Sequence, residues 1–239
     1  MESHAEKILV LATGGSIAQT SPKNPTLLGD AWGNAVPQLR DMEETAYFLN
    51  RVIKSNKPVI VVGAMRRPCS LGADGAANLY NAIAIASNPE GKGKGVLVNT
   101  AIHSARDVTK ITFNLDAFKT PDFGPFGYVR NGKPHFYRSP KRRHAIASEF
   151  DSNAESLSRV AILYSYVGVT PDILEAVATS GYRGVVWAGT GNGNLPKVIR
   201  PAAGEAVNRG LVFVRSSRPN CGIVQRNDEV DDDALGLHR

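Results

Sequence analysis

Continuous apolar runs constrain the fold of this chain more than any other feature of its sequence. The runs are rich in valine, isoleucine and leucine, do not alternate with polar residues, and occupy residues 7–12, 58–62 and 95–98. A strand that is apolar on both sides is buried on both faces, as in parallel sheets covered by helices. Residues 42–55 and 74–86 have helical patterns, and Asp41 with Glu44 gives the first helix a capping-box-like start. The first half of the chain therefore predicts a βαβ architecture.

The second half also alternates between strands and helices. Its predicted strands are residues 160–164, 184–188 and 211–215, and Thr170-Pro171-Asp172 starts a helix with a capping hydroxyl and a proline in the first turn. Before it, Asn131-Gly132 predicts a hairpin over residues 128–137. The basic, serine-containing stretch between the halves has no sustained period. We expect an α/β fold with a larger N-terminal parallel-sheet domain, a linker and a smaller C-terminal α/β domain, at residues 1–140, 141–158 and 159–239.

Composition and charge exclude several classes of function. The 239 residues carry 28 Lys+Arg against 22 Asp+Glu, but no groove-reading motif accompanies the basic clusters, so we expect no nucleic-acid partner. No apolar stretch approaches the ~20 residues that cross a bilayer, and no secretion signal is present as written. Cys69 and Cys221 lack metal-site spacing, which excludes a structural zinc site and leaves one disulfide or two free thiols open. We expect neither a metal nor a cofactor.

Thr13 is the first candidate catalytic residue. It follows a predicted strand and precedes Gly14-Gly15-Ser16, where two glycines allow a sharp turn and a close approach of the backbone to a ligand. A hydroxyl at such a turn is placed as a nucleophile, although an ordinary strand-to-helix loop has the same pattern. The chain has no Gly-x-x-x-x-Gly-Lys-Ser/Thr or Gly-x-Gly-x-x-Gly sequence, so nucleotide binding lacks its motif.

Seven ordered blocks resemble the bacterial L-asparaginase and glutaminase-asparaginase family. They contain Thr-Gly-Gly-Ser, Glu-Glu-Thr-Ala-Tyr-Phe, Arg-Asp-Val-Thr-Lys, Gly-Asn-Gly-Asn and Glu-Val-Asp-Asp, and they occupy residues 12–18, 42–50, 63–66, 103–110, 123–128, 188–194 and 229–233. The resemblance implies a two-domain α/β homotetramer that hydrolyses L-asparagine to L-aspartate and ammonia without a cofactor. L-Glutamine, one methylene longer, is the second candidate substrate.

The same resemblance assigns roles to four residues. Thr13 would form the acyl-enzyme, and Lys110 would act as its base if burial beside a cleft disfavours the ammonium form. Asn194 and Glu229 would bind substrate, with Glu229 meeting the α-amino group in a neighbouring subunit's site. Other interpretations remain open: Lys110 as a surface lysine, Glu229 as part of a solvated acidic run, and residues 191–194 as a turn.

The chain also departs from the family pattern. The family's His-Gly-Thr-Asp-Thr box, with a second catalytic threonine and its aspartate, is absent before Met42, and the chain stops at Arg239 where the family continues. A catalytically inactive, shortened homologue is therefore the alternative to an active enzyme. If residues were only omitted at Asp41/Met42, the Cα separation there will exceed the ~3.8 Å of a peptide bond, and this larger gap is our expectation. The compartment is cytoplasmic as written, or periplasmic if a signal was removed.

Overall fold

A mixed six-stranded sheet organises the first half of the chain. The computed structural model describes residues 9–12, 42–91, 96–98, 100–150 and 157–239, and the chain divides into two units between Ser156 and Leu157. In chain order the elements of the first unit are β1 (Leu9–Ala12), α1 (Met42–Val52), β2 (Val59–Val62), α2 (Gly75–Ala86), β3 (Val96–Val98), β4 (Ala101–His103), β5 (Thr109–Lys110), β6 (Phe118–Lys119), β7 (Gly127–Arg130) and β8 (Lys133–Phe136).

The sheet is parallel at one end and antiparallel at the other. Its strand order is β1-β2-β3-β4-β7-β8, and the three strands predicted from continuous apolar runs pair in parallel. The remaining strands join in antiparallel pairs, and β5 and β6 form a separate antiparallel pair. The predicted parallel arrangement is therefore confirmed for β1 to β3.

Helices cover both faces of β2, as its continuous apolar sequence requires. Val61 packs with Ala46 and Leu49 of α1, whereas Ile60 and Val62 pack in a cluster with residues of α2. α1 ends at Val52, three residues before the predicted end. The Ser55 hydroxyl accepts a hydrogen bond from the Lys57 amide at 3.0 Å, which closes a local turn before Pro58.

The predicted hairpin is confirmed at β7 and β8. Asn131 and Gly132 have φ values of 51° and 70°, as the two central residues of a type I′ turn require. Tyr128 is 41% exposed and lies opposite His135 across the hairpin. Its ring centroid is 6.5 Å from that of Tyr137, so Tyr128 packs on the hairpin and not in the core.

The second unit is a three-stranded parallel sheet with helices. Its elements are β9 (Val160–Tyr164), α3 (Asp172–Thr179), β10 (Gly184–Gly189), α4 (Arg200–Asn208), β11 (Val212–Ser217) and α5 (Asp232–Leu235), with strand order β11-β10-β9. Trp187 and Phe213 are fully buried and stack with ring centroids 6.5 Å apart. The α/β fold class is confirmed.

Two local predictions in the second unit need correction. Pro171 is the N-cap of α3, and the Thr170 hydroxyl donates to the side chain of Asp172 instead of capping the helix. β11 begins one residue later and ends two residues later than predicted, because its pairing with β10 continues to Ser217.

Membrane-spanning helices and metal-ligand clusters are absent from the part of the chain that the structure describes. None of the described helices is long and apolar enough to cross a membrane. The described part of the chain contains no group of three or more His, Cys, Asp or Glu residues placed to hold a metal ion. Cys69 and Cys221 are both exposed free thiols.

Candidate active site

Asn194 and Glu229 lie together in the second unit. The Asn194 side-chain Nδ2 donates a hydrogen bond of 2.5 Å to Glu229 Oε2. Asn194 Oδ1 is buried and has no hydrogen-bond partner among the described residues. The exposed Glu229 carboxylate therefore presents charged oxygen acceptors to a ligand that carries N–H donors, and the buried Asn194 Oδ1 beside it is a further acceptor without a described partner.

A tight turn after β10 sets the position of Asn194. Gly191 and Gly193 have φ values of 51° and 70°, and the Asn194 amide donates to the Thr190 carbonyl at 2.9 Å. A Cβ atom on Gly193 would lie 2.7 Å from the Ser216 carbonyl oxygen, too close for any other residue. The interpretation of residues 191–194 as a turn is therefore confirmed, and the turn carries the Asn194 side chain toward Glu229.

Arg215 joins the two loops that hold Asn194 and Glu229. Its guanidinium is fully buried and donates to the carbonyls of Asn192 at 2.7 Å and Gln225 at 2.8 Å. It also forms two hydrogen bonds to the carboxylate of Asp232, at 2.5 and 2.7 Å. One cation in β11 thus links the turn after β10, the loop before Glu229 and the start of α5.

The acidic segment around Glu229 is not a uniformly solvated run. Asp228 accepts from Asn192 at 2.8 Å, Asp231 caps α5 through the Ala234 amide, and Asp233 accepts from Arg226 and Asn227. Asp232 is fully buried. The solvated-run interpretation therefore fails only at Asp232. The other four carboxylates of the segment are exposed, although each accepts a hydrogen bond from a specific donor.

The ionised form of Asp232 is stabilised despite its burial. Burial acts to raise the pKa of Asp232. Hydrogen bonds from the Arg215 side chain and the Asn227 amide, together with the positive charges of Arg215 and Arg226, lower the pKa by more than burial raises it. The net result is a pKa below the usual value. Arg215 and Asp232 are therefore a buried ion pair at the base of the site.

Lys110 lies on β5 in the first unit and is exposed. Its Nζ is 5.6 Å from the ring centroids of both Phe113 and Phe118, and its main-chain amide donates to Glu43 Oε1 at 3.3 Å. The burial that would disfavour its ammonium form is not observed. Thr13 and the Asp41/Met42 junction lie outside the described residues.

A buried histidine lies in the same block as Lys110. His103 Nδ1 is 2.9 Å from Thr120 Oγ1, while its Nε2 is buried without a partner among the described residues. Burial, with a smaller contribution from the positive charge of Lys119, lowers the pKa of His103 to about 4. The sequence signalled this residue only as part of a matching block, and it gave no signal for Arg215.

Comparison with known proteins identifies both halves of the chain. Residues 39–142 match the family described as Asparaginase, N-terminal, and residues 159–238 match the Glutaminase/Asparaginase C-terminal domain. A glutaminase-asparaginase of Pseudomonas fluorescens biotype A is 46% identical over 197 residues, covering 80% of this chain and 54% of the relative. L-asparaginase 2 of Escherichia coli K12 is 43% identical over 200 residues, covering 82% and 58%. The chain spans a little over half the length of these relatives.

Proposed function

We propose an amide-hydrolysing function for this chain, which belongs to the bacterial L-asparaginase and glutaminase-asparaginase family. The proposed reaction converts L-asparagine to L-aspartate and ammonia, with L-glutamine as a second substrate. The names of the relatives support this substrate class. A pocket that separates two substrates by one methylene gains only ~1–3 kcal/mol, so action on both is consistent with such a site.

The contact between Asn194 and Glu229 is the observation that carries this proposal. An amino-acid substrate has an α-ammonium group, whose three donors match the Glu229 carboxylate and the unpartnered Asn194 Oδ1. Arg215 and Asp232 hold the two loops in register without facing the substrate. The pair would recognise the end of asparagine that does not react.

Thr13 and Lys110 complete the proposed mechanism. The Thr13 hydroxyl attacks the side-chain carboxamide carbon and its proton passes to a base, which returns it to the carboxamide nitrogen; the C–N bond then breaks, so that ammonia leaves and an acyl-enzyme ester remains. Water then opens the ester to release aspartate and restore the hydroxyl. Lys110 is the proposed base, and because it is exposed in one chain, its ammonium form must be disfavoured by assembly of the site.

Assembly enters the proposal through Glu229. A homotetramer in which Glu229 serves a neighbouring subunit would bring the substrate-binding pair to Thr13 and Lys110, and would bury groups that one chain exposes. We also retain residues 1–140, 141–158 and 159–239 as the proposed N-terminal domain, linker and C-terminal domain.

The second candidate is a catalytically inactive, shortened homologue. The observation that favours it is the absence of a His-Gly-Thr-Asp-Thr box before Met42, which removes a second threonine and an aspartate that would assist Lys110. Such a chain would keep the substrate-binding pair and release no ammonia.

Succinamate, which is asparagine without its α-amino group, tests the proposed recognition. The parent chain should hydrolyse asparagine with kcat/KM about 30- to 150-fold above succinamate, because the Glu229 contact contributes ~2–3 kcal/mol. Glu229→Gln should lose most of this preference, whereas Asp231→Asn, a helix-cap control two residues away, should keep it. Equal preferences in the parent and Glu229→Gln would contradict the assignment, and no ammonia from the parent would favour the inactive homologue.

A further inference from the structure

A cavity in the first unit is lined neither by Lys110 nor by the pair formed by Asn194 and Glu229. Its volume is about 640 Å³, and it is lined by Asn50 of α1, the turn after β4, two phenylalanines and residues 137–144. This volume falls within the ~300–1,000 Å³ that is typical of small-molecule sites.

The cavity lining has a large excess of positive charge. One carboxylate, that of Asp107, lies among five cationic side chains: Arg106, Arg138, Lys141, Arg142 and Arg143. None of the ion pairs among the described residues involves any of these five cations. His144 Nδ1 is also buried there without a described partner. Like charges gathered around a concave surface raise the local concentration of anions.

Contacts to α1 fix the wall that carries these cations. Arg51 donates to the Arg143 carbonyl at 3.3 Å and to Glu149 at 2.8 Å, and Lys54 donates to the Ser148 carbonyl. The Arg51 guanidinium also lies 4.3 Å from the ring centroid of Phe150. Residues 143–150 are therefore held against α1 and the residues that follow it. The side chains of Lys141, Arg142 and Arg143 take part in none of the ion pairs among the described residues.

Aromatic side chains supply a second kind of contact. Phe126 is buried, whereas Phe123 is 51% exposed and Tyr137 is 71% exposed at the cavity. Exposed rings next to guanidinium groups suit a planar ring that carries a charged substituent.

We propose that this cavity binds a phosphorylated small molecule. Four of its five cations are arginines, whose planar fork donates two parallel hydrogen bonds to phosphate, and a multivalent anion matches their number better than a single carboxylate does. The site is in the first unit, and its binding does not depend on whether the chain hydrolyses asparagine.

Isothermal titration calorimetry tests the proposal: pyrophosphate, ATP and adenosine are each titrated into the full chain at fixed ionic strength. Pyrophosphate and ATP should bind saturably with one site per chain, and adenosine should not bind. The double variant Arg142→Gln, Arg143→Gln should weaken ATP binding by about tenfold or more. Arg67→Gln, an exposed arginine elsewhere in the same unit, is the matched control and should leave binding unchanged.

A third variant distinguishes an organic phosphate ligand from inorganic phosphate. Tyr137→Ala should weaken ATP but not pyrophosphate if the ligand is an organic phosphate, and should affect neither if the site takes inorganic phosphate. The absence of saturable binding to the parent would overturn the proposal. Equal weakening by Arg67→Gln and by the double variant would also overturn it, because it would show only general attraction to a basic surface.

Discussion

Burial decides the protonation of His103, and thereby links one residue to the stability of the first unit. Its side chain is 2% exposed, and the Lys119 ammonium adds a smaller unfavourable contribution to the charged form. The folded protein therefore holds this imidazole neutral at pH values where an unfolded chain would protonate it. The same logic applies in reverse to Asp232, whose ionised form is favoured by its donors.

Acidification should destabilise the protein through His103. Its pKa is about 4 when folded and 6.5 in the reference state, so the unfolded chain binds more protons between these values. The contribution is fully present above pH 6.5, is lost progressively as the pH falls to about 4, and reaches about 3 kcal/mol at most. Urea unfolding at pH 7.5 and 4.5 measures it.

Two histidine-to-asparagine variants separate the contribution of His103 to the pH dependence of the unfolding free energy from the contributions of Asp and Glu side chains. His103→Asn should reduce the loss of unfolding free energy between pH 7.5 and 4.5, whereas His135→Asn, at an exposed position on β8, is the control. An unchanged loss in His103→Asn would show that other groups control the pH dependence.

At the scale of elements, patterns that depend on neighbouring residues were predictable and contacts between distant loops were not. The apolar runs predicted β2 and β10 because burial on both faces leaves a direct mark on composition. An apolar run also predicted β9, although Val160, Ile162 and Tyr164 on one face of that strand are exposed. The antiparallel half of the first sheet, built from short strands such as β4, was foreseen only at its hairpin. Two- and three-residue strands carry too few residues for a period to emerge.

The candidate site likewise contains residues that the sequence indicated and one that it did not. Asn194 and Glu229 were identified only through resemblance to a family, since a turn and an acidic run have ordinary explanations. Arg215 gave no signal, because its partners at residues 192, 225 and 232 come together only in three dimensions. A charge in a strand sequence is compatible with many partners, so it does not identify the ones that Arg215 binds.

Removing the Asp232 carboxylate should disrupt the junction of β11, α5 and the turn after β10. Asp232→Asn leaves the Arg215 cation buried without its counter-charge, which should lower the unfolding free energy by ~3–5 kcal/mol. Asp233→Asn is the adjacent control; it loses an exposed ion pair with Arg226 and should lower the unfolding free energy much less, because solvent screens such a pair. Chemical denaturation followed by fluorescence provides the comparison, and equal losses would show that the buried pair does not hold the junction.

For the whole molecule, the proposed reaction draws on residues of both units. Thr13 and Lys110 belong to the first unit, and Asn194 and Glu229 belong to the second. In the proposed assembly, an isologous pair of subunits would have two sites, and each chain would contribute Thr13 and Lys110 to one site and Glu229 to the other.

Mixed oligomers should recover activity that neither parent variant has. In a hybrid of Thr13→Ala and Glu229→Ala chains, one of the two shared sites keeps both groups, so random exchange should restore about a quarter of the parental rate. Ammonia release after confirmed subunit exchange measures the recovery. The absence of recovery would place Glu229 in its own subunit's site or outside the reaction.

Mass spectrometry of the acid-quenched protein after mixing with L-asparagine tests whether Thr13 is the nucleophile. We expect an added mass of about 115 Da, one aspartyl group, on the peptide that contains Thr13. Thr13→Ala should lack this adduct and release ammonia at least about a hundredfold more slowly than the parent. Thr179→Ala, which removes a remote hydroxyl bonded within α3, should behave as the parent. Ammonia release by Thr13→Ala at the parental rate, or an adduct on another residue, would contradict the account.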